Sequence, residues 1–350
     1  MRGVLLAVGI GVAACERQPK PVPAEAPSAA PTPTGPAATP TSLAEGDARD
    51  AARALLGVPP KPGRVVGSVE ATLNGDPQIN AGGVLAFTGA QGKVFTVFAT
   101  PDGVKIAGPI DLGMVRNVAT DGAHVCASDK KTLRCAKVDG SGASQRTTAV
   151  GDTTGLWGGQ GVLLRATING LDTGLEASDD GFVTARRVDI PKRKTVVAAA
   201  VESPTRWTVV ILPNEGTIKP RYGLTVDAGK SPISDFGALD RTGWSSGDRL
   251  WADQLVTGAF STETVVAERG EKQSTVTLPW SAVGGFAFAR RALLLFGRGA
   301  TGNGGLLLVE FPSRRVTSFT PSGVHPLIAG GRVGGALVAV TNEGKILAWE

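Results

Sequence analysis

Gly344-Lys345-Ile346-Leu347-Ala348-Trp349 is the stretch on which the fold turns. It is a short apolar run that follows a turn pair, Glu343-Gly344, and stops at a tryptophan. Alone it reads as one strand of a hairpin, and its weight comes from repetition. Val94-Phe95-Thr96-Val97-Phe98, Trp207-Thr208-Val209-Val210-Ile211, Thr275-Val276-Thr277-Leu278 and Ala292 to Phe296 have the same length and character, rich in the apolar, β-branched and aromatic side chains that suit a pleated surface. Turn pairs punctuate them at Asp102-Gly103, Asp180-Gly181 and Glu215-Gly216. Hairpin tips near 103, 130, 181, 215, 270, 303 and 343 lie on average about 40 residues apart, room for four short strands and their turns.

Gly247-Asp248-Arg249-Leu250-Trp251 repeats the order glycine, strand, tryptophan. Both segments resemble the blade ends of β-propellers in the broad WD40 and quinoprotein-like superfamilies. The resemblance implies an all-β protein, a β-propeller of six or seven four-stranded blades over residues 61–350. A chain that stops inside a strand fits ring closure, with an N-terminal strand such as Arg64 to Leu73 completing the last blade. A β-sandwich, or two, would satisfy the same turns and alternation and is the rival architecture.

Composition agrees with short strands and tight turns. The 350 residues include 48 Gly but two Met and one Tyr, Tyr222, and 19 % are charged, low for a helical bundle. The formal charge of +5 is mild and dispersed, which argues against a nucleic-acid binder. No apolar run beyond Cys15 approaches the ~20 residues that span a bilayer; the longest is Val196 to Val201.

The N-terminus reads as an address. Arg2 opens an apolar run, Val4 to Ala14, that ends in small residues before Cys15, the layout of a secretory leader over residues 1–14. Val12-Ala13-Ala14-Cys15 resembles the lipobox of bacterial lipoproteins. That resemblance implies cleavage before Cys15, diacylglycerol on its thiol and acylation of the new amine. An ordinary leader with a chance cysteine is the competing reading. Loss of Arg2 lowers the formal charge from +5 to +4. Glu16 follows Cys15, which favours the outer membrane, on its periplasmic or outer face, over the inner one. Residues 15–41 then hold eight prolines and almost no branched apolar side chain. Such a segment cannot bury enough surface to fold, and it reads as an extended spacer. Ser42-Leu43-Ala44-Glu45 has the form of a capping box, and a short helix is expected from 42 to 56, ended by Gly57 and Pro59-Pro60 within a 42–60 helix-and-turn unit.

Setting Cys15 aside leaves Cys126 and Cys135, an even number in an exported chain. If Lys130 and Lys131 form a two-residue turn, the two cysteines face each other at a non-hydrogen-bonded site, where side chains approach most closely. A four-residue loop would leave them opposite at the less favourable site. A disulfide is expected. Zinc would need a fourth ligand beside His124, Cys126 and Cys135, and none has suitable spacing.

Catalytic material is thin. Only His124 and His325 are available as imidazoles. Gly243-Trp244-Ser245-Ser246-Gly247 matches the nucleophile elbow in letters, but that chemistry needs a buried strand before the serine and a helix after it. Arg249 to Val256 is the only helix on offer there. Ser128 to Lys131 matches Ser-x-x-Lys on a hairpin tip, and Asp179-Asp180-Gly181 reads as a turn, not a calcium loop. Gly302-Asn303-Gly304-Gly305 turns a hairpin and lacks the lysine of a phosphate loop. The densest charge is Arg186-Arg187-Val-Asp-Ile-Pro-Lys192-Arg193-Lys194, five cations that could meet anionic glycan, lipid or acidic protein; a solvated strand end is the plain alternative. Most of the six tryptophans are expected in the core.

These readings converge on a lipid-anchored cell-envelope protein that binds or scaffolds through loops at one rim. Its expected contacts are the membrane through its lipid and an envelope protein or anionic glycan or lipid. No nucleic acid, cofactor, metal or second copy is called for. The alternative is an envelope hydrolase or lyase acting on glycan or ester substrates, with acids converging on a propeller channel.

Overall fold

The computed structural model describes residues 47–70, 78–79, 83–113, 115–142, 145–148, 151–190, 194–213, 222–227, 234–238, 248–251, 256–260, 264–269, 272–289, 292–299, 302–311, 313–321 and 325–350. The leader, Cys15 and the spacer lie outside them, as do Lys192, Arg193, residues 42–46 and the 243–247 motif.

One helix, α1 (Asp47–Leu56), precedes β1 (Arg64–Ser68). The rest of the described chain forms strands in runs of four. The first sheet holds β2 (Gln78–Ile79), β3 (Leu85–Thr88), β4 (Val94–Thr100) and β5 (Gly103–Ile110). The second holds β6 (Asn117–Thr120), β7 (His124–Ser128), β8 (Thr132–Lys137) and β9 (Gln145–Thr148). The third holds β10 (Asp152–Gly159), β11 (Val162–Asn169), β12 (Asp172–Ser178) and β13 (Arg186–Asp189). The fourth holds β14 (Lys194–Ser203), β15 (Arg206–Pro213), β16 (Tyr222–Asp227) and β17 (Ser234–Ala238). The fifth holds β18 (Asp248–Trp251), β19 (Val256–Phe260), β20 (Thr264–Arg269) and β21 (Lys272–Thr277). The sixth holds β22 (Ala282–Ala289), β23 (Ala292–Arg298), β24 (Gly304–Glu310) and β25 (Arg315–Phe319). The seventh is β26 (Leu327–Val333), β27 (Ala336–Thr341) and β28 (Lys345–Trp349), with β1 as its outer strand beside β28.

All pairings are antiparallel, and first strands of consecutive sheets meet: β2 with β6, β6 with β10, β10 with β14, β14 with β18, β22 with β26, and β26 with β2. The first four sheets and the seventh are therefore covered on both faces by their neighbours. β24 and β27 are accordingly buried along their whole length, as near-continuous apolar runs, while the outer strands β1 and β25 are exposed or half-buried for nearly all of theirs. The cores lie between sheets. Leu85, Phe87 and Val97 of the first sheet pack on Val338, Val340 and Ile346 of the seventh, so the first and last sheets meet.

Helix α1 packs on the sixth and seventh sheets. Ala48, Ala52 and Leu56, four residues apart, form its buried stripe against Phe286, Phe288, Leu294 and Trp349 at the sixth and seventh sheets. Trp349 also donates its indole N–H to the Lys61 carbonyl at 2.8 Å, tying the segment after the helix to the last strand.

Two details of the sequence reading change. The hairpin tips are real, but they are not equivalent. Tip 103 joins third and fourth strands, whereas tips 130, 303 and 343 join second and third, which is why their spacing scatters. Asp248–Trp251 opens the fifth sheet and does not end a blade. It is also a strand paired with β19, so the helix that a nucleophile elbow needs after Ser245 does not form.

Candidate functional site at the seam of the second and third sheets

The Asp129–Thr132 turn sets this seam. Asp129 N donates to Thr132 O at 3.0 Å across Lys130 and Lys131, so the connection is two residues long. Neither lysine has positive φ, as a type I′ turn would require. Instead the Asp129 carboxylate accepts from the backbone N–H groups of Lys131 and Thr132 at 2.7 and 2.6 Å, the role aspartate plays at the first position of a type I turn. Counting outward, Cys126 and Cys135 fall at a non-hydrogen-bonded pair with Cα atoms 4.1 Å apart, and a disulfide joins them. Both are buried, facing Leu156 and Leu163 of the third sheet. Replacing both cysteines by alanine is expected to lower stability by about 2–3 kcal/mol, the chain-entropy value for so short a loop. Urea unfolding of the oxidised protein against the double variant measures it.

His124 lies on the same face of β7, two residues before Cys126. Its position is fixed by Asp121, whose side chain is buried at 1 % exposure while that of His124 is 26 % exposed. One Asp121 oxygen accepts from the backbone N–H groups of Ala123 and His124 at 2.8 and 2.6 Å; the other meets His124 Nδ1 at 3.1 Å. That hydrogen bond raises the imidazole pKa above its ordinary value. Partial burial opposes the rise, the charges of Asp121 and Asp180 add to it, and Lys137 opposes it.

Across the seam, the β12–β13 connection folds onto this histidine. Ser178 Oγ donates to Asp180 Oδ1 at 2.7 Å and accepts from Phe182 N at 2.7 Å. The Asp180 carboxylate in turn accepts from Thr184 N at 3.0 Å and Thr184 Oγ1 at 2.7 Å. Partial desolvation pushes the Asp180 carboxyl up, but the bonds from Thr184 and Ser178 outweigh it and hold it below the usual range. The closed loop drives Phe182 inward to 3 % exposure although its φ is +63°. A residue with a Cβ seldom adopts that conformation. A Cβ on Gly181 would stand 3.1 Å from His124 Cδ2 and 3.6 Å from Cys135 Cβ, so the loop rests on both.

Beneath Phe182 lies a buried charge pair. Arg165 of β11 and Glu176 of β12 are register partners, and Arg165 Nε and Nη2 both donate to Glu176 Oε2. The Phe182 ring centroid lies 5.1 Å from Arg165 Cζ, and Arg165 Nη1 is buried without a hydrogen-bond partner.

The basic cluster is divided. Arg186 and Arg187 are exposed on β13, the outer strand, while Lys194 starts β14, the innermost strand of the next sheet. Arg186 stacks 5.7 Å from the Trp207 ring centroid and donates to Pro204 O at 3.3 Å, so it is committed to the fourth sheet. His325 is exposed and pairs with Glu343 at 3.1 Å, far along the chain from this seam. Among the described residues no three His, Cys, Asp or Glu side chains gather to hold a metal.

No protein-family model and no curated protein matches the chain. Solved structures do. YCF48 from Cyanidioschyzon merolae aligns with a TM-score of 0.53 at 10 % identity, over 83 % of this chain and 98 % of that one. The β-propeller domain of the Trilobed protease from Pyrococcus furiosus gives 0.52 at 11 %, over 81 % and 96 %. The fold is a β-propeller. Unlike the Trilobed protease propeller, described as having an open velcro topology, this propeller pairs β1 with β28. YCF48 bound to a D1 peptide aligns at 0.52 and 8 % identity, over 81 % and 94 %. At such identities the likeness establishes the fold alone.

Proposed function

We propose that the protein is a lipid-anchored cell-envelope scaffold whose propeller binds a protein segment on the loop face over the second and third blades. The observation that carries this is the face itself. Antiparallel alternation brings the 121–123, 160–161, 138–142 and 179–185 connections to one side, where Gly161 N donates to Asp121 O at 3.3 Å and Val138 N to Ala123 O at 3.0 Å. These loops stand on two sheets that are each braced internally, the second by a disulfide and the third by a buried ion pair, so a partner would meet a preorganised surface. Val183 is 60 % exposed in the 179–185 connection. The structurally similar YCF48, bound to a D1 peptide, supports a peptide-binding role for such a fold. The anchor rests on Val12-Ala13-Ala14-Cys15 and on the Pro/Ala-rich spacer that follows; outer-membrane sorting rests on Glu16.

The test is capture from the native envelope after mild crosslinking, using the full chain tagged after Glu350. One protein is expected to co-purify repeatedly, to be lost from Val183→Glu, and to be lost from the membrane fraction with Cys15→Ser. Recovery of glycan or lipopolysaccharide with no protein would overturn the scaffold reading and turn attention to Arg186, Arg187 and Lys192 to Lys194.

A further inference from the structure

We infer that helix α1 is a releasable strap: it leaves the seam of the sixth and seventh sheets as a unit, while the strand that follows it, β1, stays paired with β28. The inference needs neither the lipid nor a partner, so it stands or falls independently of the scaffold reading.

Three features of the geometry carry it. First, the helix holds on by little. Its buried stripe is two alanines and a leucine, Ala48, Ala52 and Leu56, with Ala51 and Leu55 half-buried beside them. A helix of ten residues is not stable alone in water, so it is helical where it docks and comes away whole. Second, the contact buries polar atoms without partners. Glu310 ends β24, a strand against which α1 packs. It shares a face with Leu306 and Leu308, which form one core with Ala48, Ala52 and Leu56. Glu310 is 4 % exposed, and neither its Oε2 nor the Nε of Arg49, in the first turn of α1, has a hydrogen-bond partner. Third, the chain beyond the helix is fastened separately. Trp349 donates to Lys61 O, a Cβ on Gly63 would stand 2.9 Å from the same ring, and β1 pairs with β28 from Arg64 to Ser68, with Arg64 on Glu350 at 2.6 Å. Between the two holds, Gly57 has a φ of +85° and Val58 is 77 % exposed. Release breaks the bond from Lys61 N to Leu56 O and turns the helix about this link.

These opposing terms set the sign of each substitution. A buried donor or acceptor without a partner destabilises the docked state and recovers its hydrogen bonds in water. Docking therefore sets a small apolar stripe against two desolvated polar groups, and deleting either group tightens the strap. That is the reverse of what most substitutions at buried positions do. Release bares Phe288, Ala292 and Leu294, part of the apolar face that α1 covers. It also lengthens the chain that leads into the propeller, because ten residues span about 15 Å as a helix and about 33 Å when extended.

The experiment is hydrogen exchange on the full chain, read at the amides of α1, β1 and β27. In the native protein the α1 amides are expected to exchange through an opening that β1 and β27 do not share. Glu310→Leu is expected to slow α1 exchange by roughly five- to a hundredfold, the effect of deleting one unpartnered buried group. Should that variant fail to fold, Arg49→Met serves, since methionine matches arginine in helix propensity and is expected to slow α1 exchange in the same way. Ala52→Asp places a carboxylate in the buried stripe and is expected to abolish protection of α1 while β1 and β27 stay protected. Exchange of α1 and β27 through one opening in the native protein overturns the strap, as does loss of β1 protection together with that of α1 in Ala52→Asp. Exchange of α1 that neither Glu310→Leu nor Arg49→Met slows overturns it as well.

Discussion

Glu176→Ala is expected to destabilise the protein by about 3–5 kcal/mol, the cost of leaving a buried charge without its partner. The side chains of Arg165 and Glu176 are 4 % and 11 % exposed, and one carboxylate oxygen takes both guanidinium donors. Removing it leaves Arg165 with Nε, Nη1 and Nη2 all unpaired in a seam shared with Leu163 and Phe182, because Nη1 has no partner even in the intact protein. Water cannot readily replace the lost oxygen while Phe182 covers the site. The double variant Arg165→Met, Glu176→Leu is expected to recover most of the loss, since paired apolar side chains of similar volume remove both charges at once. Urea unfolding of the two single variants and the double variant gives the coupling directly. A Glu176→Ala variant within about 1 kcal/mol of the native protein would mean that the pair behaves as a surface ion pair and that the seam is wet.

How this pair escapes a sequence reading is instructive. Arg165 sits inside Val162-Leu163-Leu164-Arg165-Ala166-Thr167, and Glu176 lies eleven residues on with no motif around it. The signal is present only after the hairpin is placed: with Asn169 opposite Asp172, the register puts Arg165 opposite Glu176. The same counting from Lys130 and Lys131 places the cystine, because there the cysteines announce themselves. The strands were legible for a plain reason: a blade covered on both faces needs unbroken apolar runs, and Leu293 to Phe296 or Leu337 to Val340 have no other use. The β1–β28 closure was legible from the apolar start near Arg64. Position within a blade was not, since a Gly-containing tip looks alike whether it joins second to third strand or third to fourth. The conformation of Phe182 gave no sign either. Glycine normally marks a positive φ, and here the loop spends its glycine on Gly181, against His124, while Phe182 takes the left-handed conformation as well.

Trp207→Ala should cost a similar amount, about 3–5 kcal/mol, for a different reason: the cavity left by the largest fully buried side chain among the described residues. Trp207 is 0 % exposed and packs with Leu164, Leu175, Val196 and Val209 between the third and fourth blades. Three of those neighbours belong to strands buried on both faces, which cannot close in without disturbing the next seam. Trp207→Phe is expected to lose much less, because it keeps an aromatic ring for Arg186 and deletes an indole N–H that has no partner. Arg186→Met is the informative companion. An exposed guanidinium over a ring is worth about 0.5–1 kcal/mol, so its removal is expected to leave the melting temperature nearly unchanged. If Arg186→Met nonetheless weakened capture of an anionic ligand, the exposed edge of that guanidinium would have a second role beyond covering Trp207. If stability fell by more than binding did, the first cations of the Arg186 to Lys194 run would belong to the seam between two blades, and only those near Lys194, at the start of the innermost strand, would remain for a ligand.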